Sequence, residues 1–277
     1  MSQPLVTPPF FQPSPDPTTT IIKPYALMDL DDTLFQTQRK IDAWALPTSA
    51  PANLVCASVN KQGKPLSFMT QRQATMFNWL LASTELIVVT ARDTSEIQRV
   101  KLPFNSWQVL THGAVIKQPE GNHQLDWQAQ MHERLKLLQA TLTELINAIE
   151  QLNVEYDGQL TLAIHSDTFL EQDLVIYLAV KHSQKDHEAL ATLAKRLPSL
   201  LPELAKNFYI HVNANNLAIL PHCVHKRHAV QFLLEQCLDA QRPSFGFGDS
   251  LADLPFLQLL DWYGTPNHGQ LHDRFSE

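Results

Sequence analysis

The sequence predicts an α/β fold: a doubly wound, Rossmann-like parallel sheet with an inserted α+β unit of antiparallel strands and two helices. Three observations predict it. Strand-like and helix-like segments alternate over the first ~110 residues. A helix–strand–strand pattern then occurs twice between residues 114 and 220. After Pro221 the strand–helix alternation resumes. The length of 277 residues suits about two domains, or one domain with a large insert.

Residues 1–20 hold Pro4, Pro8, Pro9, Pro13, Pro15 and Pro17 and end in three threonines. Such a segment cannot pack a core and is expected to be a flexible tail. Tyr25-Ala26-Leu27-Met28 is a short apolar run of buried-strand type, ending in Asp29-Leu30-Asp31-Asp32-Thr33. A β-hairpin is expected from 54–59 and 66–69, with Gly63 in its turn. Thr70 is placed to cap a helix through Leu81, with Met76, Trp79 and Leu80 on its apolar face. Leu86-Ile87-Val88-Val89 is a second buried strand, ending at Thr90. Asp93 and Glu96 have capping-box spacing for the helix that follows. A third strand is expected at 107–111.

The insert begins with one helix over 129–152. Its stripe is Met131, Leu135, Leu138, Leu142, Leu145, Ile149 and Leu152, in steps of four and three. Strands at 161–165 and 174–180 follow, then a helix carrying Leu190, Leu193 and Leu197 that Pro198 ends or kinks. Strands at 208–212 and 217–220 complete the insert. Short connections make these strands antiparallel. A helix over 225–238, a strand at 244–247 and an edge strand at 261–264 return to the α/β pattern. The expected domains are therefore 21–113 with 221–277, and 114–220.

Composition narrows the function. A net charge of −7 disfavours grasping a nucleic-acid backbone. No apolar run approaches the ~20 residues of a membrane span. Cys56, Cys223 and Cys237 are far apart, which fits a reducing cytoplasm better than a disulfide framework or a zinc site. The N-terminus shows no signal-peptide pattern, so a cytoplasmic location is expected.

Chemistry-bearing residues stand at element ends of the α/β part. Asp29 and Asp31 are two apart and, in an extended segment, point to one side. Thr90 ends the second strand, Lys226 opens the helix after the insert, and Asp249 and Asp253 follow the fourth strand. In a doubly wound sheet these ends meet at the switch point. Four carboxylates in one small volume cannot all stay ionised without counter-charge. A hard divalent cation on oxygen ligands, Mg2+, supplies it. With the Lys226 ammonium and the Thr90 hydroxyl, the set suits a phosphoryl group. A carboxylate can then be the nucleophile and its neighbour the general acid/base.

These residues resemble the motifs of the haloacid dehalogenase-like phosphatase superfamily. Asp29-Leu30-Asp31-Asp32-Thr33 is similar to its DxDxT, Thr90 to its second motif, Lys226 to its third, and Gly248-Asp249-Ser250-Leu251-Ala252-Asp253 to its GDxxxD. The position of the insert further resembles the Cof-type and sucrose-phosphatase-like branch, which carries a type II cap between the second and third motifs. Where that branch shows T-G-R and N-G-A, this chain has Thr90-Ala91-Arg92 and His112-Gly113-Ala114.

The resemblance implies that Asp29 is nucleophile and Mg2+ ligand. It makes Asp31 the general acid/base and a metal ligand through its backbone carbonyl. Thr90 and Lys226 would hold the phosphoryl group, Asp249 would ligate the metal, and Asp253 would support metal waters or Lys226. The substrate implied is a small phosphorylated metabolite, a sugar phosphate. A phosphomutase and a catalytically idle phospho-ligand module are the alternatives. Oligomeric state is unread. Specificity is expected from cap residues near strand ends, with Lys181, His182, Asn213 and Asn215 as candidates. Arg92 is either a substrate contact or a surface residue at a helix start. His222, His225 and His228 recur every three residues, as on a surface helix face.

Overall fold

A computed structural model describes residues 22–46, 53–213 and 215–275. The expected tail at 1–20 lies outside the described residues. The chain begins with β1 (Tyr25–Met28), β2 (Gln36–Thr37), α1 (Gln38–Ala43), β3 (Val55–Val59), β4 (Pro65–Met69) and α2 (Gln71–Ser83). Next come β5 (Glu85–Val89), α3 (Thr94–Ile97), β6 (Gln108–Leu110), β7 (Val115–Lys117), α4 (Leu125–Lys136) and α5 (Gln139–Glu155). The insert continues with β8 (Leu160–Phe169), β9 (Gln172–His182), α6 (His187–Leu200), α7 (Pro202–Asn207), β10 (Phe208–Asn213) and β11 (Asn216–Pro221). The chain closes with α8 (Lys226–Gln236), β12 (Ser244–Phe247), α9 (Leu254–Leu257), β13 (Trp262–Gly264) and α10 (Gln270–Phe275).

The main sheet has the order β13-β12-β1-β5-β6-β7. Its pairings are parallel except for β6 with β7. β1 is apolar at every position because both its faces are covered. Ala26 and Met28 pack with Phe77, Leu80 and Leu86 on one side. Tyr25 and Leu27 pack with Ile87, Val230 and Leu233 on the other. The chain leaves β1 toward β5 on one flank and returns to β12 on the opposite flank. The C-terminal end of β1 is therefore the switch point, where open α/β sheets bind ligands.

β7 shows that the sheet continues past Gly113, where the pattern suggested an exit. Thr111, His112 and Gly113 all adopt positive φ and reverse the chain tightly. A three-residue strand is too short to carry a readable period.

The hairpin is present as β3 and β4, joined by β2 into a three-stranded sheet of order β2-β4-β3. Thr70 caps α2 in a full capping box with Gln73. The buried face of α2 is Phe77 and Leu80, whereas Met76 and Trp79 are exposed. The helix is rotated so that Ala74 and Leu81 flank the buried pair.

The insert forms a four-stranded sheet of order β10-β11-β9-β8 with antiparallel pairing throughout. Alternation divides its residues between two partners. Leu178, Val180, Leu217 and Ile219 pack under α5 and α6. Tyr177, Ala179, Ala218 and Leu220 join the apolar cluster of the main sheet. The insert is thus seated on the α/β part through a continuous apolar layer.

The single helix expected over 129–152 is two helices. Trp127, Met131 and Leu135 of α4 belong to the main-sheet cluster. Leu142, Leu145, Ile149 and Leu152 of α5 belong to the insert's own. One unbroken stripe serves two cores, so the axis must break between them. At the break the Gln139 side chain donates to the Leu135 and Val175 carbonyls. Pro198 lies within α6, which ends soon after it, at Leu200. No helix among the described residues is long and apolar enough to cross a membrane.

Candidate active site

Beyond β1, the Leu30 carbonyl accepts N–H bonds from Thr33, Leu34 and Phe35, curling the chain into a tight turn. That turn brings the Thr33 hydroxyl to the Asp29 carboxylate, to which it donates at 3.0 Å. Across the switch point Lys226 begins α8. Its Nζ donates to Asp29 Oδ1 at 2.7 Å and to Asp253 Oδ1 at 2.6 Å. The other Asp253 oxygen accepts from the Ser250 N–H and hydroxyl. Gly248 makes this packing possible: a Cβ there would stand 2.5 Å from the Asp253 Cβ.

Asp249 completes the group. Asp29, Asp249 and Asp253 each offer a carboxylate oxygen, all within 4.8 Å of one another. Four carboxylates were expected in this volume; three converge. The Asp31 side chain instead takes the Arg92 guanidinium in a two-pronged ion pair, Nε to Oδ2 and Nη2 to Oδ1, both at 2.7 Å. Arg92 is mostly buried and lies 5.3 Å from the Phe35 ring centroid, so it is not a surface residue at a helix start.

The electrostatics follow from crowding. Burial pushes the Asp29 carboxyl up to about 7, although Lys226 pulls it down. Burial, then Asp29 and Asp253, push Asp249 up to about 8. Burial alone would lower the Lys226 ammonium, but Asp253 and Asp29 outweigh it and hold the proton on. With all three carboxylates ionised against one ammonium, two negative charges are left uncompensated. One divalent cation balances them, and an all-oxygen donor set is what Mg2+ prefers. The donors present therefore fit that ion, with Asp249 and Asp29 as the carboxylates that would hold it, Lys226 being bonded to Asp29 as well as to Asp253.

Thr90 is buried at the end of β5. Register sets Met28 opposite Val88, so the β1 and β5 ends lie side by side. Thr90 Oγ1 accepts the Arg92 N–H at 3.2 Å, which leaves its O–H to donate. The neighbouring turn is tied to the same segment: Thr111 N–H donates to the Arg92 carbonyl and His112 N–H to that of Thr90. Thr111 is β-branched at φ 52°, a conformation costing about 1–3 kcal/mol that surrounding structure must impose.

The inserted sheet closes over these groups. His165 Nδ1 meets Asp93 Oδ2 at 3.2 Å, and Thr94 donates to Asp167. Burial would raise the Asp93 carboxyl, but bonds from His165, Ser95 and the Glu96 N–H hold it below the usual range. The Tyr177 ring stacks on His165 at 4.2 Å and meets the His112 ring edge-on at 5.1 Å.

Of the cap candidates, Lys181, His182 and Asn215 are not among the residues lining the cavity beside Lys226. Lys181 is exposed, and Asn215 and His182 bond each other across the sheet end. The Asn213 side chain lies outside the described residues. His222 and His228 are exposed, but His225 is not: it caps α8 and lines a cavity beside Lys226. Tyr209 and His211 of β10 and His112 line the same cavity. Sequence reasoning missed His112 and His211. The place of His112 before Gly113 was a usable signal; for His211 there was none.

The model of the haloacid dehalogenase-like hydrolases matches residues 70–263. The chain belongs to that family. Solved structures agree in fold. The sucrose-phosphatase of Synechocystis sp. PCC6803, in complex with sucrose and phosphate, has a TM-score of 0.51 at 15% identity, covering 93% of this chain and 88% of that one. SMU.1108c of Streptococcus mutans UA159 gives 0.53 at 12% identity, with 92% and 91% covered. A comparison with curated proteins gave no match.

Proposed function

We propose that this hydrolase is a Mg2+-dependent phosphomonoesterase acting on a small phosphorylated metabolite, a sugar phosphate, through an aspartyl-phosphate on Asp29. One observation carries the reading: a buried carboxylate held by Lys226 and Thr33 within a three-carboxylate group at the switch point. The sugar is suggested by the sucrose-phosphatase likeness. Residues 21–113 with 221–277 would be the hydrolytic domain, to which β7 adds an edge strand, and the rest of 114–220 its cap. The three free thiols suit a reducing cytoplasm.

Asp29 attacks phosphorus, and its new O–P bond forms as the ester P–O bond breaks. For Asp31 to give a proton to the leaving oxygen, the Arg92 fork that holds both its oxygens must release it and the carboxyl must take up a proton from solvent. Asp31 then takes a proton from the water that attacks phosphorus, releasing phosphate and restoring Asp29. Lys226 and the Thr90 hydroxyl hold the phosphoryl oxygens. Mg2+ at Asp29 and Asp249 would supply positive charge toward those oxygens. The cap excludes bulk water during the first transfer.

The test is phosphate release from phosphate esters with and without Mg2+. Asp29→Asn is expected to abolish release while circular dichroism stays unchanged. Full activity in that variant would remove Asp29 from the mechanism. Isomerised ester without free phosphate would indicate a mutase.

A further inference from the structure

The cavity beside Lys226 has a volume of about 150 Å3. It is walled from both parts of the molecule. Tyr209 and His211 come from the inserted sheet; His112 comes from the strained turn, and His225 from the α8 cap. Leu251, Ala252 and Pro255 add a wall from the segment around Asp253. The bonds of His165 with Asp93 and of Thr94 with Asp167 fasten the insert in the position that bounds this space.

We propose that this chamber receives the leaving group, and that it selects one small uncharged polyol of three to six carbons through His112, His211 and His225. This rests on the phosphomonoesterase reading. Size is the first ground. An apolar cavity of about 150 Å3 holds a single six-carbon ring such as benzene, and pockets for drug-sized ligands start near 300 Å3. A second sugar ring would have to lie outside these walls.

Charge is the second ground. Among the described residues Lys226 is the one Lys or Arg lining the chamber, and it is already bonded to Asp29 and Asp253. A leaving group with its own carboxylate or phosphate finds no further cation there. The imidazoles do not supply one. Burial lowers the pKa of His211 and takes His112 well below the usual value; burial, then His228 and Lys226, bring His225 to about 4.

Hydrogen-bonding capacity is the third. A neutral imidazole offers one donor and one acceptor, the same pair that each sugar hydroxyl offers. In His225 the tautomer is fixed. Its Nδ1 accepts the Arg227 N–H at 3.1 Å, so the ring proton sits on Nε2. The Tyr209 hydroxyl is spent on the Val224 carbonyl at 3.0 Å, leaving its ring as a flat wall for a carbon face.

The experiment measures kcat/KM of the full chain with Mg2+ for glycerol 3-phosphate, erythrose 4-phosphate and glucose 6-phosphate. The comparison esters are sucrose 6-phosphate and 3-phosphoglycerate, with acetyl phosphate as the donor lacking a polyol. At least one of the first three is expected to exceed both comparison esters by about 10-fold or more. His211→Ala is expected to lower the ratio of the best polyol ester to acetyl phosphate by about 10-fold, and His211→Gln to recover part of it. A preference for sucrose 6-phosphate or 3-phosphoglycerate overturns the inference and leaves the hydrolase reading standing. So does an equal loss on both donors in His211→Ala. Failure to release phosphate from every ester, acetyl phosphate included, overturns the hydrolase reading itself and this inference with it.

Discussion

Lys226 stands at the wrong end of a helix. The first turn of α8 carries the positive end of the helix dipole, and a buried ammonium there is doubly disfavoured. Its two carboxylate partners, both buried, are what make the position tolerable. Lys226→Met removes the charge and leaves two carboxylates without it. Urea denaturation of the metal-free protein is expected to show a loss of about 3–5 kcal/mol, the usual cost of breaking a buried pair. The same crowding gives a pH dependence. Asp29 and Asp249 are raised to about 7 and about 8, whereas unfolded carboxyls titrate near 4. The folded, metal-free state therefore binds extra protons, and its stability must fall as pH rises through that range. Its Tm should drop between about pH 4 and 8, while the rise in Tm caused by Mg2+ grows over the same interval. A flat profile with no added benefit from Mg2+ would contradict the placement of these carboxyls. At this scale Asp29, Lys226, Asp249 and Asp253 were legible because each ends a strand or opens a helix. The Arg92–Asp31 pair was not, since its partners are 61 residues apart and no local pattern links them.

Elements place those residues through close approaches more than through propensity. β12 leads into a turn where Gly248 lies against Asp253, and β6 leads into one where Gly113 lies against the His225 carbonyl. A methyl group at Gly248 has to displace Asp253 and with it the Lys226 contact. Gly248→Ala is expected to cut kcat by about 100-fold, the scale of a 1 Å misplacement of catalytic groups. Steady-state kinetics beside a thermal melt checks this; a large loss of Tm with unchanged kcat in the surviving fold would contradict it. The strands that read clearly were those with both faces buried, β1 and β5, and the Thr70 cap of α2 and the capping box of α3 were visible as letters. The break between α4 and α5 was invisible because the apolar stripe continues through it. Only the division of that stripe between two cores, a tertiary fact, ends the first helix.

On the scale of the whole molecule, one face of the inserted sheet closes the site that the main sheet opens. The alternation along β9 and β11 sends half the side chains to the insert's helices and half to the α/β part. That the insert is antiparallel followed from its short connections; which face it turns to the site did not, because both faces are apolar. The histidine-lined chamber arises only from that docking. The central claim is that Asp29 receives the phosphoryl group. Acid-quenched turnover with Mg2+ and a phosphate ester, followed by peptide mass spectrometry, tests it directly. A phosphoryl adduct on the peptide holding Asp29, absent in Asp29→Asn, is the predicted result. An adduct on a different residue during turnover, or one that persists in Asp29→Asn, would contradict it.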